Sequence, residues 1–215
     1  MTLSASLEPV AYSIESAGRI TIVADTKQTK TIGEHHVAAE LARRGWAPAL
    51  TRDGLERTDI LAVHADGTDR RQIEVQVKTT RFKDPRRISW MLGVKSQKPS
   101  AHPREYFVLV AVPDDDTLPP RSFVVPRDHV AAAAWISHMH WLTEPGIPAG
   151  KRNATIDQAR VAVPVFAPYE HRWDLLHVDT TEAPVLLPAP YRAYAQEERV
   201  GLPPNHRWKL ALPKW

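Results

Sequence analysis

Asp59, Gln76 and Lys78 are the residues whose types and spacing could do chemistry together. Asp59 begins an apolar run, Asp59-Ile60-Leu61-Ala62-Val63, and the chain returns through Ile73-Glu74-Val75-Gln76-Val77-Lys78-Thr79-Thr80. Between the two runs lies Asp66-Gly67, and an Asp-Gly pair flanked by apolar arms is a strong hairpin signal. A hairpin folded there sets Asp59 opposite Val75 and Gln76. Strand side chains alternate between faces, so Glu74, Gln76 and Lys78 share one face while Ile73, Val75 and Val77 point into the core. A carboxylate, an amide oxygen and an ammonium then converge at one edge of a short sheet. Hard oxygens beside a cation suit a divalent metal and a phosphodiester.

A second acid precedes the hairpin. Gly33-Glu34 opens a segment that reads as a helix over about 31–44, with Lys30 or Thr31 near its cap and Gly45 as a natural stop. Glu34, Val37, Ala38, Leu41 and Ala42 fall on one helical stripe. A carboxylate in line with a core face wants a partner, and the hairpin acids supply a reason for it. The alternative is a first-turn acid that favours the positive end of the helix dipole. Glu40 projects from another face.

The order helix glutamate, strand aspartate, then Gln76-Val77-Lys78 resembles the motif of the PD-(D/E)xK nuclease superfamily, in its variant with glutamine as second ligand. The helix is similar to the first helix of Holliday-junction resolvases and of one group of homing endonucleases. Tyr106–Val112, Phe123–Pro126 and Arg172–Leu176 also look like later elements of such proteins. The resemblance implies a restriction-endonuclease-like α/β (α+β) core, a central mixed sheet flanked by helices. It also implies a Mg²⁺- or Mn²⁺-dependent endonuclease acting on DNA in restriction, defence, repair or recombination, with RNA still open as substrate. Asp59, the Gln76 oxygen and the Val77 carbonyl would hold one ion, and Glu34 a second ion or its water. Lys78 would orient the attacking water or neutralise the phosphate. Glu74, on the face of Gln76, is either an auxiliary acid or a cross-strand partner of Arg70 or Arg71. A neutral amide binds a hard cation more weakly than a carboxylate does. Gln76 therefore keeps a second class in view: a nucleic-acid-binding module with a nuclease-like fold and little catalysis.

Charge is distributed to match. The whole chain carries +3, yet residues 70–104 hold ten Lys or Arg against two acids. Arg81, Lys83, Arg86, Arg87, Lys95 and Lys98 follow the QxK strand directly, where cations meet phosphates. A solvated basic loop is the plainer account of the same run. No cysteine is present, which excludes disulfides and thiolate zinc sites. The adjacent and alternate histidines, His35-His36 and His138/His140, lack the spacing of four that a helical zinc pair needs. No phosphate-binding GxxxxGK[ST] loop occurs. No signal peptide or run of about 18 apolar residues is evident, so a cytoplasmic protein without membrane contact is expected.

The remaining elements must hold these groups. Arg19–Val23 reads as a strand within an N-terminal extension, 1–28. The core, 29–178, has a strand over Tyr106–Val112 buried on both faces, a short strand at Ser122–Val125 and an alanine-rich helix from Pro126 to about Trp141. Arg160–Phe166 reads as a strand, and Tyr169–Leu176 as a short helix. Residues 179–215 contain six prolines, which preclude long helices and central strands. This Pro-rich C-terminal arm is expected to pack on the body or on the partner of a homodimer.

Overall fold

The computed structural model describes residues 26–51, 55–66, 70–148 and 150–215. The strand expected over Arg19–Val23, and Gly67 of the hairpin turn, lie outside them. In chain order the elements are helix α1 (Thr26–Ala42) and strands β1 (Trp46–Leu50), β2 (Ile60–His64), β3 (Gln72–Phe82) and β4 (Ser89–Met91). They continue with β5 (Glu105–Pro113), β6 (Arg121–Pro126), helix α2 (Arg127–Leu142), β7 (Arg160–Ala162) and short helices α3 (Val163–Phe166) and α4 (Pro190–Tyr194). Five strands form a mixed sheet in the order β1-β2-β3-β5-β6, and β4 pairs β7 in a separate two-stranded sheet. The class is α+β, as expected. No helix among the described residues is long and apolar enough to cross a membrane.

The hairpin forms with Ile60 opposite Val75 and Leu61 opposite Glu74. β5 runs parallel to β3 and antiparallel to β6, and all nine of its residues are buried, as a β-branched and aromatic run covered on both faces should be. β3 is therefore the middle strand of the sheet, not an edge. Its partner on one side stops early: β2 pairs no further than Ile60–Val75, whereas β3 continues to Phe82. Beyond Val75, over more than half its length, β3 consequently has an open flank.

Helix α1 begins at Thr26, more than a turn before the expected start, so Lys30, Thr31 and Gly33 lie inside it and not at a cap. Gly45, at φ 81°, ends the turn that follows, which is where a left-handed residue is needed. Gly33 has a steric role. A Cβ placed on it would lie 1.8 Å from Thr79 Oγ1 on β3. Only a hydrogen there lets α1 settle onto the strand.

One strand lies outside the expectations, and two further expectations differ. β1 pairs β2 along its whole length although Pro48 interrupts its pattern; as an edge strand it tolerates the missing N–H. Arg160–Phe166 is strand only to Ala162, because Pro164 starts a helical turn. Tyr169–Leu176 is two 3₁₀ turns, Ala167–Tyr169 and Trp173–His177, separated by His171 at φ 55°. The Pro-rich arm packs on the body: Leu187, Val200, Leu202 and Trp208 are buried in the main core. The Trp135 indole donates to Val200 O, and Arg207 and His206 reach Asp128 at the start of α2.

Replacing Gly33 with Ala is expected to destabilise the protein by about 1–3 kcal/mol, the usual cost of overpacking, despite alanine's better helix propensity. Thr79→Ala removes the hydroxyl in the way and should recover most of that loss in the double mutant. Thermal melts of the four proteins in this cycle measure both effects.

Candidate functional site

The open flank of β3 becomes a cleft of about 690 Å³, lined among others by Lys30, Glu56, Asp59, Gln76, Val77, Lys78, Arg81 and Lys95. Asp59 stands where β2 ends. Its N–H bonds to Val75 O at 2.9 Å, as a strand residue's would, and its Oδ2 then accepts the next available amide, Val77 N–H, at 2.8 Å. The side chain thus substitutes for the carbonyl that a longer β2 would have offered. N–H and C=O of one strand residue point the same way, so the Val77 carbonyl also faces this flank.

Glu34 arrives from α1 because Gly33 brings the helix onto Thr79. Its carboxyl lies within hydrogen-bonding reach of Asp59. Lys30, one turn earlier, sets its Nζ 3.4 Å from Glu34 Oε1 and 3.8 Å from Asp59 Oδ1. Burial pushes the Glu34 pKa up; Lys30 pulls it back, Asp59 pushes it further, and the net shift is upward. Burial likewise lowers the Lys78 pKa, and the attraction of Asp59 does not cancel burial and the nearby Arg127, Lys30 and Lys95. A glutamate of raised pKa and a lysine of lowered pKa on either side of Asp59 are a marker of a functional site. A second hollow of about 640 Å³, lined by Lys27, Lys30, Thr31, Glu34, His35 and Asp59 among others, meets the first at Lys30 and Asp59.

Gln76 reaches the cleft by another route. Its Oε1 accepts from Arg127 Nη2 at 2.7 Å. Arg127, the first residue of α2, is 1% exposed, with Nε 2.7 Å from Glu105 Oε2 and its guanidinium 4.6 Å over the Phe107 ring. Burial, reinforced by Arg57, lowers its pKa to about 10 against the pull of Glu105. Glu105 also accepts from Arg57 and from Ala101 N–H. Glu74 is drawn to the other side: it accepts from Thr58 Oγ1 at 2.6 Å and contacts His102 Nε2 at 3.0 Å, and it does not line the cleft. Burial works to raise its pKa, yet Thr58 and His102 hold it below the ordinary value.

Of the basic residues named from sequence, Arg81 and Lys95 line the cleft, tethered to Asp114 and Glu56 respectively. Lys83, Arg86, Arg87 and Lys98 are exposed but lie off its walls, and Arg86 is folded back on Asp84. Of the four histidines named from sequence, His35 lines the second hollow, while His36 meets Ser122 Oγ, His138 meets Ala154 O, and His140 packs on Tyr194. Among the described residues no group of three or more His, Asp or Glu is placed to hold a metal ion. The donors that do fit a hard cation are the Glu34 and Asp59 carboxylates and the Val77 carbonyl. The two acids already gather around one positive charge, the Lys30 ammonium. Lys30 was legible as a cap and not as a site residue, though its i, i+4 spacing to Glu34 was a signal. Arg127, 51 residues from Gln76, left none.

No family model, curated protein or solved structure matches this chain.

The shifts predict opposite signs for two neighbouring glutamates. Glu34 has a raised folded pKa, so its favourable contribution is present below pH 4.5 and lost as pH rises through the raised value. Glu34→Gln should therefore raise Tm at pH 7 by about 1–3 °C, a gain that vanishes near pH 4. Glu40 is pulled below its ordinary pKa by Arg44 and Arg43 even against burial, so its contribution is present above pH 4.5 and lost as pH falls through the depressed value. Glu40→Gln should lower Tm at pH 7. Calorimetric melts across this pH range test both.

Proposed function

We propose that this chain is a metal-dependent DNA endonuclease with a restriction-endonuclease-like core. The observation that carries the proposal is the position of Asp59, which shares a cleft with Lys78, Arg81 and Lys95 and an adjoining hollow with Glu34. The element order supports it too. A helix bears Glu34, a strand end bears Asp59, and the next strand bears Gln76 and Lys78, the order that the resemblance to PD-(D/E)xK nucleases implies.

Each residue has a task in phosphodiester hydrolysis. A bound Mg²⁺ or Mn²⁺ would supply charge neutralisation at the phosphoryl oxygens and a lowered pKa for the attacking water. Asp59, steadied by Val77 N–H, presents Oδ1 to the cation position that Lys30 now approaches. Glu34, made more basic by burial and by Asp59, accepts a proton from the water. Lys78 carries its charge at the far side of Asp59, where the phosphate accumulates negative charge in the transition state. Arg81 and Lys95 hold flanking phosphates and set the register without reading bases.

One observation favours a second reading, a nucleic-acid-binding module with little catalysis. The Gln76 oxygen, the remaining side-chain ligand of the motif, is engaged by Arg127.

Incubating the protein with plasmid DNA, labelled duplex and single-stranded RNA in Mg²⁺ or Mn²⁺ separates the readings. The endonuclease cuts DNA, and Asp59→Ala or Lys78→Ala lowers the rate on the order of a hundredfold or more; the binding module retains DNA and cuts nothing. Independently of cutting, the Arg81→Ala/Lys95→Ala double mutant should bind all duplex sequences more weakly. Its slope of log affinity against log salt should shrink by about 0.9 for each lost contact. An unchanged slope would remove these residues from the interface.

A further inference from the structure

We infer that Gln76 serves the cleft as a hydrogen-bond donor to a phosphate oxygen, aimed by Arg127 as its positioning residue, and that it is not an oxygen ligand of a cation. This inference rests on reading the cleft as a nucleic-acid site. A guanidinium has donors and no acceptor, so the contact at 2.7 Å fixes which end of the amide faces Arg127: the oxygen. Turning the amide over would press an NH₂ against a buried guanidinium and leave both sets of donors unsatisfied. Arg127 cannot follow a ligand, being 1% exposed, ion-paired with Glu105 and stacked on Phe107. It also has no acceptor to spare, since its Nη1 lacks a hydrogen-bond partner among the described residues. With the oxygen held on the buried side, Nε2 is the polar atom that Gln76 has for the cleft it lines beside Asp59 and Lys78.

The surroundings of that NH₂ agree. The cleft is lined by Lys30, Lys78, Arg81 and Lys95 against Glu56 and Asp59, so cations outnumber acids on its walls. An amide donor there extends an anion site, whereas an amide oxygen would compete poorly for a cation in the same field. The site divides by element: Glu34 of α1 and Asp59 at the start of β2 offer carboxylates to a cation, and β3, with Gln76, Lys78 and Arg81, offers donors to phosphate.

The test measures Mn²⁺ binding alone and binding of a fluorescein-labelled DNA duplex in EDTA, each by titration. Gln76→Met should leave Mn²⁺ affinity within about twofold and weaken duplex binding about tenfold, the cost of one hydrogen bond to a charged oxygen. Gln76→Glu keeps an acceptor for Arg127 but offers the cleft an oxygen, and should weaken duplex binding further. Loss of Mn²⁺ affinity in Gln76→Met with duplex binding intact overturns the inference in favour of an oxygen ligand. Unchanged duplex binding in Gln76→Met overturns it while the nucleic-acid reading stands. A wild-type protein that binds neither probe overturns both.

A spectroscopic arm needs no stable variant. The Gln76 side-chain NH₂ resonances should move when duplex is added in EDTA and stay in place when Mg²⁺ is added alone; the reverse overturns the inference. In Arg127→Lys, the shorter ammonium stays with Glu105 and releases the amide. Mg²⁺ should then shift those resonances, a response that loss of packing alone would not produce.

Discussion

Helix α1 can lie against β3 only because residue 33 has no side chain. At this one point, Gly33 and Thr79 approach so closely that a methyl group would displace them, and the rest of the cleft inherits its dimensions from the contact. The helix gives up some propensity for it, since glycine in a helix interior costs roughly 0.5–1 kcal/mol relative to alanine. The strand gives up more, because Thr79 Oγ1 is buried there without a hydrogen-bond partner among the described residues. What is obtained is registry. Glu34, the next residue, stands over the end of β2, and Lys30, one turn back, reaches both carboxylates.

That arrangement works against stability, and the rest of the molecule compensates. Glu34, with its raised pKa, and Lys78, with its lowered one, are each less comfortable charged in the fold than in water. Around them the sheet is conventional: a fully buried β5, aromatic contacts such as Trp90 on Phe123, and a hairpin in its expected register. The buried Arg127–Glu105 pair is intermediate in kind. Removing one partner would leave an uncompensated charge, while a hydrophobic pair would serve packing equally well. Its presence is better explained by what it holds, the Gln76 amide, than by what it adds to folding.

Local pattern carried much of this into the sequence. The hairpin, β5, β6 and α2 are written in alternation, in an unbroken apolar run and in alanine-rich spacing, and the structure places all four where these signals do. Glu34, Asp59 and Lys78 were recognisable because each sits at a fixed position of such an element, and Asp59 lies near both of the others. The less legible features have nonlocal causes. β1 exists because β2 needs a partner on its outer side, not because Trp46-Ala47-Pro48-Ala49-Leu50 looks like a strand. The cleft lies inside the sheet because β2 stops short, and no residue of β3 records how long its neighbour is. The orientation of Gln76 is decided by a side chain on a different layer. Charge density over 70–104 was visible, but which cations face the cleft depends on where each strand and turn delivers them and on acids such as Asp84, which folds Arg86 back.

The first turn of α2 joins two things far apart in the order of synthesis. Arg127 holds the Gln76 amide in the cleft, while its neighbour Asp128 is held by His206 and Arg207 of the Pro-rich arm. A ribosome delivers the acids and lysines of residues 30–78 early and the arm more than a hundred residues later. Until then α2 lacks the surface that buries Trp208 and Leu202 against it, and the buttress behind Gln76 is unfinished. A nascent chain would therefore carry every reactive group yet lack the geometry that makes them act together. On the proposed nuclease reading, maturation in that order is a form of restraint written into the topology.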